Sequence, residues 1–549
     1  MITRLKTIIC AIMTSRNYDK LIEDKERRRK GQFYTPKLFV DYAHKMISEA
    51  LGDNWKDEYV VWDNCCGTKN LTRDYRFKEL YCSTLENAEL EISSRYNPEA
   101  VSFQFDFLND DLDKLPKGLK EAFEKNKKIV FFLNPPYGAP GHNDENGKGV
   151  GGVTSGAANT IIGNEMKSKN IGRCSTNLYT QFLYRINSIK NKYNLSNLYI
   201  AIFSPKSLLT SSSYKVFRTI FLNNFKFINA CQFQASHFTN VSSTWAISFS
   251  IWKDGVSENK NDFIYNTIDN INGEIKIINK STVYNIDNCK ALNDFIISNP
   301  NKEMKEFLSC GALMKISGVT KMPSNSIAGY YSHGNDFMHN SSFVNIFPTG
   351  TSIYENNFRQ VCTVIGTRKL INVNWENNKN EHILPNNISD EYINDCIVYC
   401  LFNSSVYNYS LRNVNYHNKL WDIKNEFFWM SKAEIESLAN KYNNDDCYND
   451  AHSSRERFVY NKLQTITLSP EAKAVLDKAS DIVRNTFKYR ELFNQEHPEY
   501  QINNWDCGWY QIKALCKEYA KSDYDEFVKL YKKLADKMRP MVYELGFLK

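Results

Sequence analysis

The four residues Asn134-Pro135-Pro136-Tyr137 have the types and order of a site that handles a planar amino group. They follow the apolar run Ile129–Leu133, so they lie where a buried strand is expected to end in a loop. The Asn134 side-chain carbonyl and the Pro135 backbone carbonyl can accept hydrogen bonds from an amine. Two prolines stiffen the loop, and Tyr137 offers a flat face for stacking. The motif predicts transfer of a group onto a planar amine; a Pro-Pro turn after a core strand is the alternative.

Four short apolar runs, each followed by polar or acidic residues, are the predicted strands that position this loop. They span residues 59–63, 79–86, 101–107 and 129–133, and the first continues into Asn64-Cys65-Cys66-Gly67-Thr68. A strand that turns through small residues into a helix lets a ligand approach the backbone. Open α/β sheets bind ligands at the carboxyl ends of their strands, so the pattern predicts an α/β domain with a cofactor site at that edge.

In motif order the chain resembles the gamma class of adenine-N6 DNA methyltransferases, within the class I S-adenosylmethionine-dependent methyltransferases. In that class an N-terminal segment ending in Thr-Pro meets the cofactor, and Gly31-Gln32-Phe33-Tyr34-Thr35-Pro36 matches it. Residues 175–182 and 201–207 are similar to the family's later sheet elements, and the likeness covers roughly the first 250 residues. The resemblance implies a Rossmann-like class I methyltransferase domain.

The resemblance also implies the residues of the site. Those implied for S-adenosyl-L-methionine are Tyr34, Thr35, Pro36, Asp63, Cys65, Gly67, Glu86, Asp106, Phe107 and Asn134. Of these, Glu86 would hold the ribose, Asp106 would accept from the adenine amino group and Phe107 would pack on that ring. The target base would stack between Tyr137 and Phe238. Catalysis would use Asn134, Pro135, Pro136 and Tyr137, and no metal is implied.

Two departures from the family pattern affect the cofactor site. Lys69 stands where the family's turn usually has a second glycine, so either the backbone takes a different path or the lysine points away. Cofactor affinity depends on which of these holds. A shift of two residues in the second strand would place Thr84 at the ribose in place of Glu86. Glu86 is preferred because a carboxylate can accept hydrogen bonds from two hydroxyl groups.

The composition is compatible with an intracellular enzyme that binds nucleic acid. The chain has 549 residues, enough for two or three domains, and 42% of them are hydrophobic. The net charge of +7 is a mild basic balance that suits a phosphate partner. The fourteen cysteines include no CxxC pair, so they indicate reduced thiols in a cytoplasmic protein. No apolar stretch approaches the ~18 residues of a membrane span.

The composition of the chain changes after residue 255, where asparagine and lysine become frequent. Short segments in which polar and apolar residues alternate, such as 264–268 and 274–278, predict strands there. Farther on, Ser469-Pro470-Glu471 is typical of a helix start. We expect an α+β DNA-recognition lobe that ends in a helical bundle. The predicted domains are a helical extension (1–30), the catalytic domain (31–255, with 138–175 as a flexible flap), a target-recognition domain (256–465) and a C-terminal helical part (466–549).

Together these features predict a site-specific DNA methyltransferase that transfers a methyl group to N6 of a flipped-out adenine. Base flipping costs a few kcal/mol, which aromatic stacking can offset. The expected partner is double-stranded DNA, with the enzyme acting either in a restriction-modification system or as an orphan methylase; a separate restriction endonuclease is left open. The alternatives are methylation of RNA adenine, of a protein glutamine amide or of cytosine N4, and a binding module without catalysis.

Overall fold

The computed structural model divides the chain into two compact units, Met1–Asn288 with Asn374–Asn378, and Cys289–Val373 with Lys379–Lys549. The residues that it describes are 35–137, 160–238, 245–297, 328–332, 341–344, 350–353, 357–371, 375–376, 382–402, 414–416, 419–421, 427–442, 456–498, 500, 502 and 508–549. The N-terminal extension, Tyr34 and the larger part of the predicted flap, 138–159, lie outside these ranges. None of the helices within them combines the length and apolar character needed to cross a bilayer.

In its described residues, the first unit is a mixed α/β fold built on nine strands. The strands are β1 (Val60–Asp63), β2 (Glu79–Thr84), β3 (Val101–Gln104), β4 (Ile129–Leu133), β5 (Leu198–Ser204), β6 (Phe225–Gln234), β7 (Ala246–Asp254), β8 (Asp262–Ile271) and β9 (Glu274–Tyr284). The helices are α1 (Lys37–Leu51), α2 (Trp55–Glu58), α3 (Asn87–Ser93), α4 (Lys117–Glu124), α5 (Ile161–Ser168), α6 (Leu178–Tyr193), α7 (Ser207–Thr210) and α8 (Lys215–Leu222).

All nine strands form one sheet in the order β3-β2-β1-β4-β5-β7-β6-β8-β9. Strands β3, β2, β1, β4 and β5 are parallel to one another, and β7 is antiparallel to both β5 and β6. The chain first builds outward from β1 to β3 and then returns to place β4 on the other side of β1. Ligands of open α/β sheets bind at such a reversal of strand order. The fold therefore places a crevice where β1 and β4 end.

The core strands are apolar because both faces of the sheet are covered. Successive side chains of a strand point to opposite faces, and in β4 Phe131 and Leu133 enter one core cluster while Phe132 enters the other. Trp62 of β1 is fully buried, and its ring packs on Phe107 and Phe131 with centroid distances of 5.4 and 5.3 Å. This packing fixes the strand ends that carry the polar residues.

Two segments of the first unit differ from the sequence interpretation. Residues 175–182, likened to sheet elements, form the end of a 3-10 turn and the start of helix α6. That expectation came from the likeness in motif order, because only Leu178, Tyr179 and Phe182 of this segment are apolar and no strand period is present. The strands predicted at 264–268 and 274–278 are present as β8 and β9, but β8 pairs with β6, so the unit continues past 255 to Asn288.

The second unit is mainly helical, with two small sheets. Its helices are α9 (Asp294–Ile297), α10 (Phe358–Leu370), α11 (Asp390–Phe402), α12 (Lys432–Lys441), α13 (Phe458–Leu463), α14 (Pro470–Thr486), α15 (Arg490–Glu496), α16 (Trp509–Tyr519) and α17 (Lys521–Glu544). Its strands are β10 (Ala328–Ser332), β11 (Ser341–Val344), β12 (Gly350–Ile353), β13 (Val414–Tyr416) and β14 (Lys419–Trp421).

The predicted start of helix α14 is confirmed. Pro470 is its first residue, and the Ser469 hydroxyl accepts a hydrogen bond from the backbone N–H of Ala472 at 3.2 Å. Helices α14, α16 and α17 pack on one another through the apolar face that the sequence periodicity predicts. Thr367 and Arg368 are buried inside this unit as part of α10.

Candidate functional site

A cavity of about 350 Å³ opens at the carboxyl ends of β1 to β4 in the first unit. Residues from all four strand ends line it, together with the start of the described chain and helix α6. Its lining residues are Thr35, Asp63, Asn64, Cys65, Cys66, Gly67, Asn70, Leu71, Thr84, Leu85, Glu89, Phe105, Asp106, Phe107, Leu108, Asn109, Asn134, Pro136, Thr160, Leu178 and Phe182. The structure thus gathers most of the predicted cofactor residues around one space; Pro36 and Glu86 are not among the lining residues.

Asp63, the last residue of β1, is fully buried at the wall of this cavity. Burial raises the pKa of its carboxyl to about 8, against smaller opposing effects of the Cys65 backbone N–H and the Lys69 ammonium. Apart from the Cys65 backbone N–H, the Asp63 carboxylate has no hydrogen-bond partner among the described residues, and the side-chain amide of Asn64 has none there either. Buried polar groups are normally paired, so these atoms are suited to a ligand that brings hydrogen-bond donors or positive charge.

The turn after β1 brings the backbone close to the cavity. Gly67 lines the cavity and adopts a left-handed conformation with φ of 49°. Lys69 is also left-handed, with φ of 61°, so the lysine takes the backbone conformation that a glycine would adopt most easily. Its ammonium donates a 2.9 Å hydrogen bond to the Tyr96 carbonyl, and Lys69 does not line the cavity. The side chain of Lys69 therefore points away from the cavity.

Asn134, directly after β4, joins the motif loop to the beginning of the described chain. Its Nδ2 donates to Oγ1 of Thr35 at 2.8 Å, and its Oδ1 accepts from the Tyr137 hydroxyl at 2.6 Å. Burial raises the pKa of Tyr137 well above its usual value, so this hydroxyl stays protonated and acts as the donor. Pro136 lines the cavity beside Asn134. The two hydrogen bonds therefore hold the Asn134 side-chain amide in a fixed arrangement at the cavity.

Thiol chemistry at the site is suppressed. Cys65 lines the cavity near Asn134, and the pKa of its thiol is raised well above the usual value. Burial is the largest cause, the carboxylates of Asp63 and Glu89 add to it, and a hydrogen bond with the Asn134 backbone opposes it. A thiol in this state is a poor nucleophile. The same interactions show that the strand ends of β1, β2 and β4 lie close together.

The far side of the cavity is aromatic. Phe107 stacks on Phe182 of helix α6 with a centroid distance of 5.0 Å and an interplanar angle of 19°. Asp106 accepts hydrogen bonds from the backbone N–H groups of Leu108 and Asn109 at 3.0 and 3.1 Å. These bonds hold the carboxylate at the cavity edge next to the rings. An aromatic wall with an adjacent acceptor suits a planar ring that carries an amino group.

The end of β2 differs from the preferred sequence interpretation. Glu86 is exposed, whereas Thr84 and Glu89 are buried and line the cavity. The Thr84 hydroxyl donates to Glu89 Oε2 at 2.6 Å. Glu89 is not among the site residues that the sequence predicts. The only signal was its place in the first turn of α3, where the helical period turns it back toward the strand end.

The aromatic residues near Tyr137 also differ from the expectation. Phe238 is fully buried and stacks on Phe233 with a centroid distance of 5.9 Å and an interplanar angle of 4°, so its ring belongs to the core. The ring of Trp245, one residue before β7, packs edge to face on the ring of Tyr137, with a centroid distance of 6.1 Å. The structure places Phe238 in the core and leaves Trp245 partly exposed beside Tyr137. Trp245 was missed because the sequence gives no sign of which residue before β7 faces the motif loop.

No family model matches the sequence, and no curated protein matches it either. Solved structures do resemble it. One is a complex of DrdV with DNA, with 15% sequence identity and a TM-score of 0.32, over 46% of this chain and 29% of that chain. Another is the methyltransferase subunit of a type I restriction-modification system from Streptococcus thermophilus, with 16% identity and a TM-score of 0.31, over 45% of this chain and 50% of that chain. The type IIG restriction endonuclease BpuSI is similar at 15% identity and a TM-score of 0.31, over 44% of this chain and 28% of that chain.

This chain covers half or less of the length of each of these proteins. All three TM-scores are below 0.5, so the function of this chain is argued from the site itself.

Proposed function

We propose that this protein is a site-specific DNA methyltransferase that uses S-adenosyl-L-methionine to methylate N6 of adenine. One observation carries the proposal: Asn134 of the Asn-Pro-Pro-Tyr loop lines the same cavity as Asp63 and Phe107. The amine-handling motif and a ligand site of the right chemistry thus share one space. The strand order around β1 and β4 supports a Rossmann-like class I methyltransferase arrangement for the first unit.

The residues present fit S-adenosylmethionine. The buried carboxylate of Asp63, whose partner among the described residues is the Cys65 backbone N–H alone, suits the ammonium of the methionine end. Phe107 and Phe182 suit the adenine ring, and Asp106 lies beside them to accept from its amino group. Thr35, Cys65 and Gly67 would line the space between. When bound, the cofactor supplies an electrophilic methyl group.

The motif loop would prepare the accepting amine. An exocyclic amine conjugated to a ring is a weak nucleophile, and it becomes stronger when acceptors take up its N–H bonds as it pyramidalises. The Thr35 contact holds Nδ2 of Asn134, so Oδ1 is the end of the amide left to accept from the amine. The Pro135 carbonyl would provide the second acceptor, and the rigid Pro-Pro loop lowers the cost of holding both. No strong general base is needed, since the amine becomes acidic after it has been alkylated.

In this account Tyr137 has two roles. Its ring would stack on the target base, with Trp245 as its neighbour at 6.1 Å. Its hydroxyl, which donates to Asn134 Oδ1, would be displaced or shared when the amine arrives. A base in a duplex cannot reach such a site while it is stacked, so we infer that the target adenine is flipped out. Stacking worth roughly 1–3 kcal/mol per aromatic contact would offset part of the cost.

We assign recognition of double-stranded DNA to the second unit, in a restriction-modification system or as an orphan methylase. Its size exceeds what methyl transfer requires, and the chain as a whole, whose net charge is +7, suits a phosphate partner. A separate endonuclease would act on the same sequence if the protein belongs to such a system. Methylation of RNA adenine, of a glutamine amide or of cytosine N4 would use the same acceptor geometry, so the experiment must separate these products.

The test is transfer of labelled methyl from S-adenosylmethionine to DNA, RNA and protein in parallel reactions, with nucleoside mass spectrometry of the DNA. We expect label in DNA as N6-methyladenine for the wild type and its loss in Asn134→Ala. Asn87→Ala, an exposed asparagine on α3, is the matched control and should retain activity. Label in N4-methylcytosine, in RNA or in protein would contradict the adenine-N6 DNA assignment and identify the true acceptor.

A further inference from the structure

The second unit contains a cavity of its own, lined by helix α15, the segment after it and helix α16. Its volume is about 570 Å³, within the roughly 300–1,000 Å³ that is usual for ligand pockets. Three of its lining residues carry benzene rings. Tyr500 and Tyr510 stack on each other with a centroid distance of 5.6 Å, and Phe493 packs on Tyr500 at 5.4 Å. Such rings favour a planar ligand.

Two lysines of helix α16, one helical turn apart, also line this cavity. The ammonium of Lys513 lies over the ring of Tyr510 at 5.8 Å, and that of Lys517 over the ring of Tyr524 at 5.2 Å. Within the part of the chain that the structure describes, neither ammonium has a carboxylate partner. Burial, and next the charge of Lys517, lowers the pKa of Lys513. Because like charges four residues apart on a helix repel, a negatively charged ligand would stabilise this pair.

One lining residue carries a carboxylate, and this group is engaged by a neighbour. Oε2 of Glu518 lies 3.0 Å from Nε2 of His497, which also lines the cavity. The negative group of a ligand would avoid Glu518 and face the two lysines, whereas Glu518 can accept a hydrogen bond from a hydroxyl or amino group. The cavity thus offers aromatic rings, cations and an acceptor to one ligand.

We propose that this cavity binds a nucleotide, with the phosphate at Lys513 and Lys517 and the base against Tyr510. The lysines favour an anion and the tyrosines favour a planar ring, and a nucleotide carries both groups. The nucleotide can be a free one or an unstacked unit of a DNA strand, because the chemistry is the same. This site belongs to the second unit, so it goes beyond the proposed methyl transfer and does not depend on it.

The experiment measures dissociation constants of the full-length protein by isothermal titration calorimetry for thymidine 5′-monophosphate, thymidine and inorganic phosphate. Thymine compounds are used because they lack the adenine proposed for the cavity of the first unit. The monophosphate should bind at least about tenfold more tightly than either of its parts. Lys513→Ala and Lys517→Ala should each weaken it by about tenfold. Lys532→Ala, at an exposed lysine of α17 outside the cavity, is the matched control and should bind like the wild type.

A short single-stranded oligothymidylate distinguishes the two sources of the nucleotide. Binding of the monophosphate that depends on both lysines identifies a free nucleotide. If only the oligonucleotide binds, with the same dependence, the nucleotide is a unit of a strand. The site is overturned if the wild type binds neither compound, if both lysine variants bind like the wild type, or if inorganic phosphate binds as tightly as the nucleotide.

The stability of the lysine variants separates loss of a contact from loss of the fold. Removal of one of two repelling charges should leave the melting temperature of the ligand-free protein equal to or above that of the wild type. Thermal unfolding of Lys513→Ala and Lys517→Ala measures this temperature. Should either alanine variant unfold, glutamine at the same position keeps most of the aliphatic side chain while it removes the charge, and the same tenfold weakening of about one order of magnitude is expected.

Discussion

The Asn134 amide donates from Nδ2 to Oγ1 of Thr35, 99 residues earlier in the chain, over 2.8 Å. An amide has one donor end and one acceptor end, so this bond decides which end remains for another partner. The end that remains is Oδ1, and it accepts from the Tyr137 hydroxyl at 2.6 Å. Thr35 therefore both lines the cavity and orients the Asn134 side chain.

Removing the Thr35 hydroxyl tests this orienting role. Thr35→Val has nearly the same shape, but it leaves Nδ2 of Asn134 without this acceptor. We expect kcat to fall about tenfold, because a single hydrogen bond contributes about 0.5–1.5 kcal/mol and a tenfold rate change corresponds to 1.4 kcal/mol. Steady-state methyl transfer to DNA measures the effect. Thr35→Ser retains the hydroxyl and should stay near the wild type; equal rates for the valine and wild-type enzymes would contradict the role.

Tyr137 provides a second test, since its ring and its hydroxyl have separate roles. Tyr137→Phe removes the donor that occupies Asn134 Oδ1 but keeps the stacking face, so kcat/KM for DNA should stay within about threefold of wild type. Tyr137→Ala removes the face and should lower kcat/KM by about tenfold to a hundredfold, given the 1–3 kcal/mol of a stacked base. A phenylalanine variant as impaired as the alanine variant would show that the hydroxyl, and not the ring, matters.

The raised pKa of Asp63 predicts a pH-dependent stability. Its folded-state pKa of about 8 lies above the unfolded value near 4, so between these values the folded protein binds more protons than the unfolded chain. Stability is therefore lost as the pH rises through this range. Asp63→Asn removes the titration, and it should be more stable than wild type by a few kcal/mol at about pH 8.5 but nearly equal at about pH 4. Thermal unfolding at both pH values measures the difference.

The same residue should couple cofactor binding to proton release. An ammonium bound at Asp63 favours the carboxylate, so at about pH 7 the wild type should release close to one proton per S-adenosylhomocysteine bound. Calorimetry in two buffers of different ionisation enthalpy counts that proton. Asp63→Asn should bind more weakly and release none. Proton uptake, or the same release in both proteins, would place the ligand amine elsewhere.

Lys69 tests the conformation of the turn. At a position with ordinary backbone angles, a protein with alanine is more stable than one with glycine. At φ of 61° the glycine variant should instead be the more stable of the two. Lys69→Gly should be more stable than Lys69→Ala by about 1–2 kcal/mol, the cost of left-handed backbone for a residue with a Cβ. Both should be less stable than wild type, which keeps the bond to the Tyr96 carbonyl. Urea denaturation ranks the three; an alanine variant more stable than glycine would rule out the left-handed turn.

The sequence predicted the elements that depend on local pattern. Strands β1 and β4 were found because they are short apolar runs with polar residues after them, and the cap at Ser469 because its chemistry is local. What it missed depends on packing between distant segments. Which glutamate lines the cavity, Glu86 or Glu89, depends on the orientation of a seven-residue helix. The contact of Trp245 with Tyr137 depends on how β7 pairs in the sheet. Neither leaves a periodic signal in the sequence.

The most direct test of the account is to express the wild type and Asn134→Ala in cells that lack DNA methylation and to map modified bases by single-molecule sequencing. We expect N6-methyladenine at one short sequence motif in the wild-type sample, and unmodified DNA in the Asn134→Ala sample. Unmodified DNA in both samples, from a wild-type protein that binds S-adenosylmethionine in vitro, would contradict it.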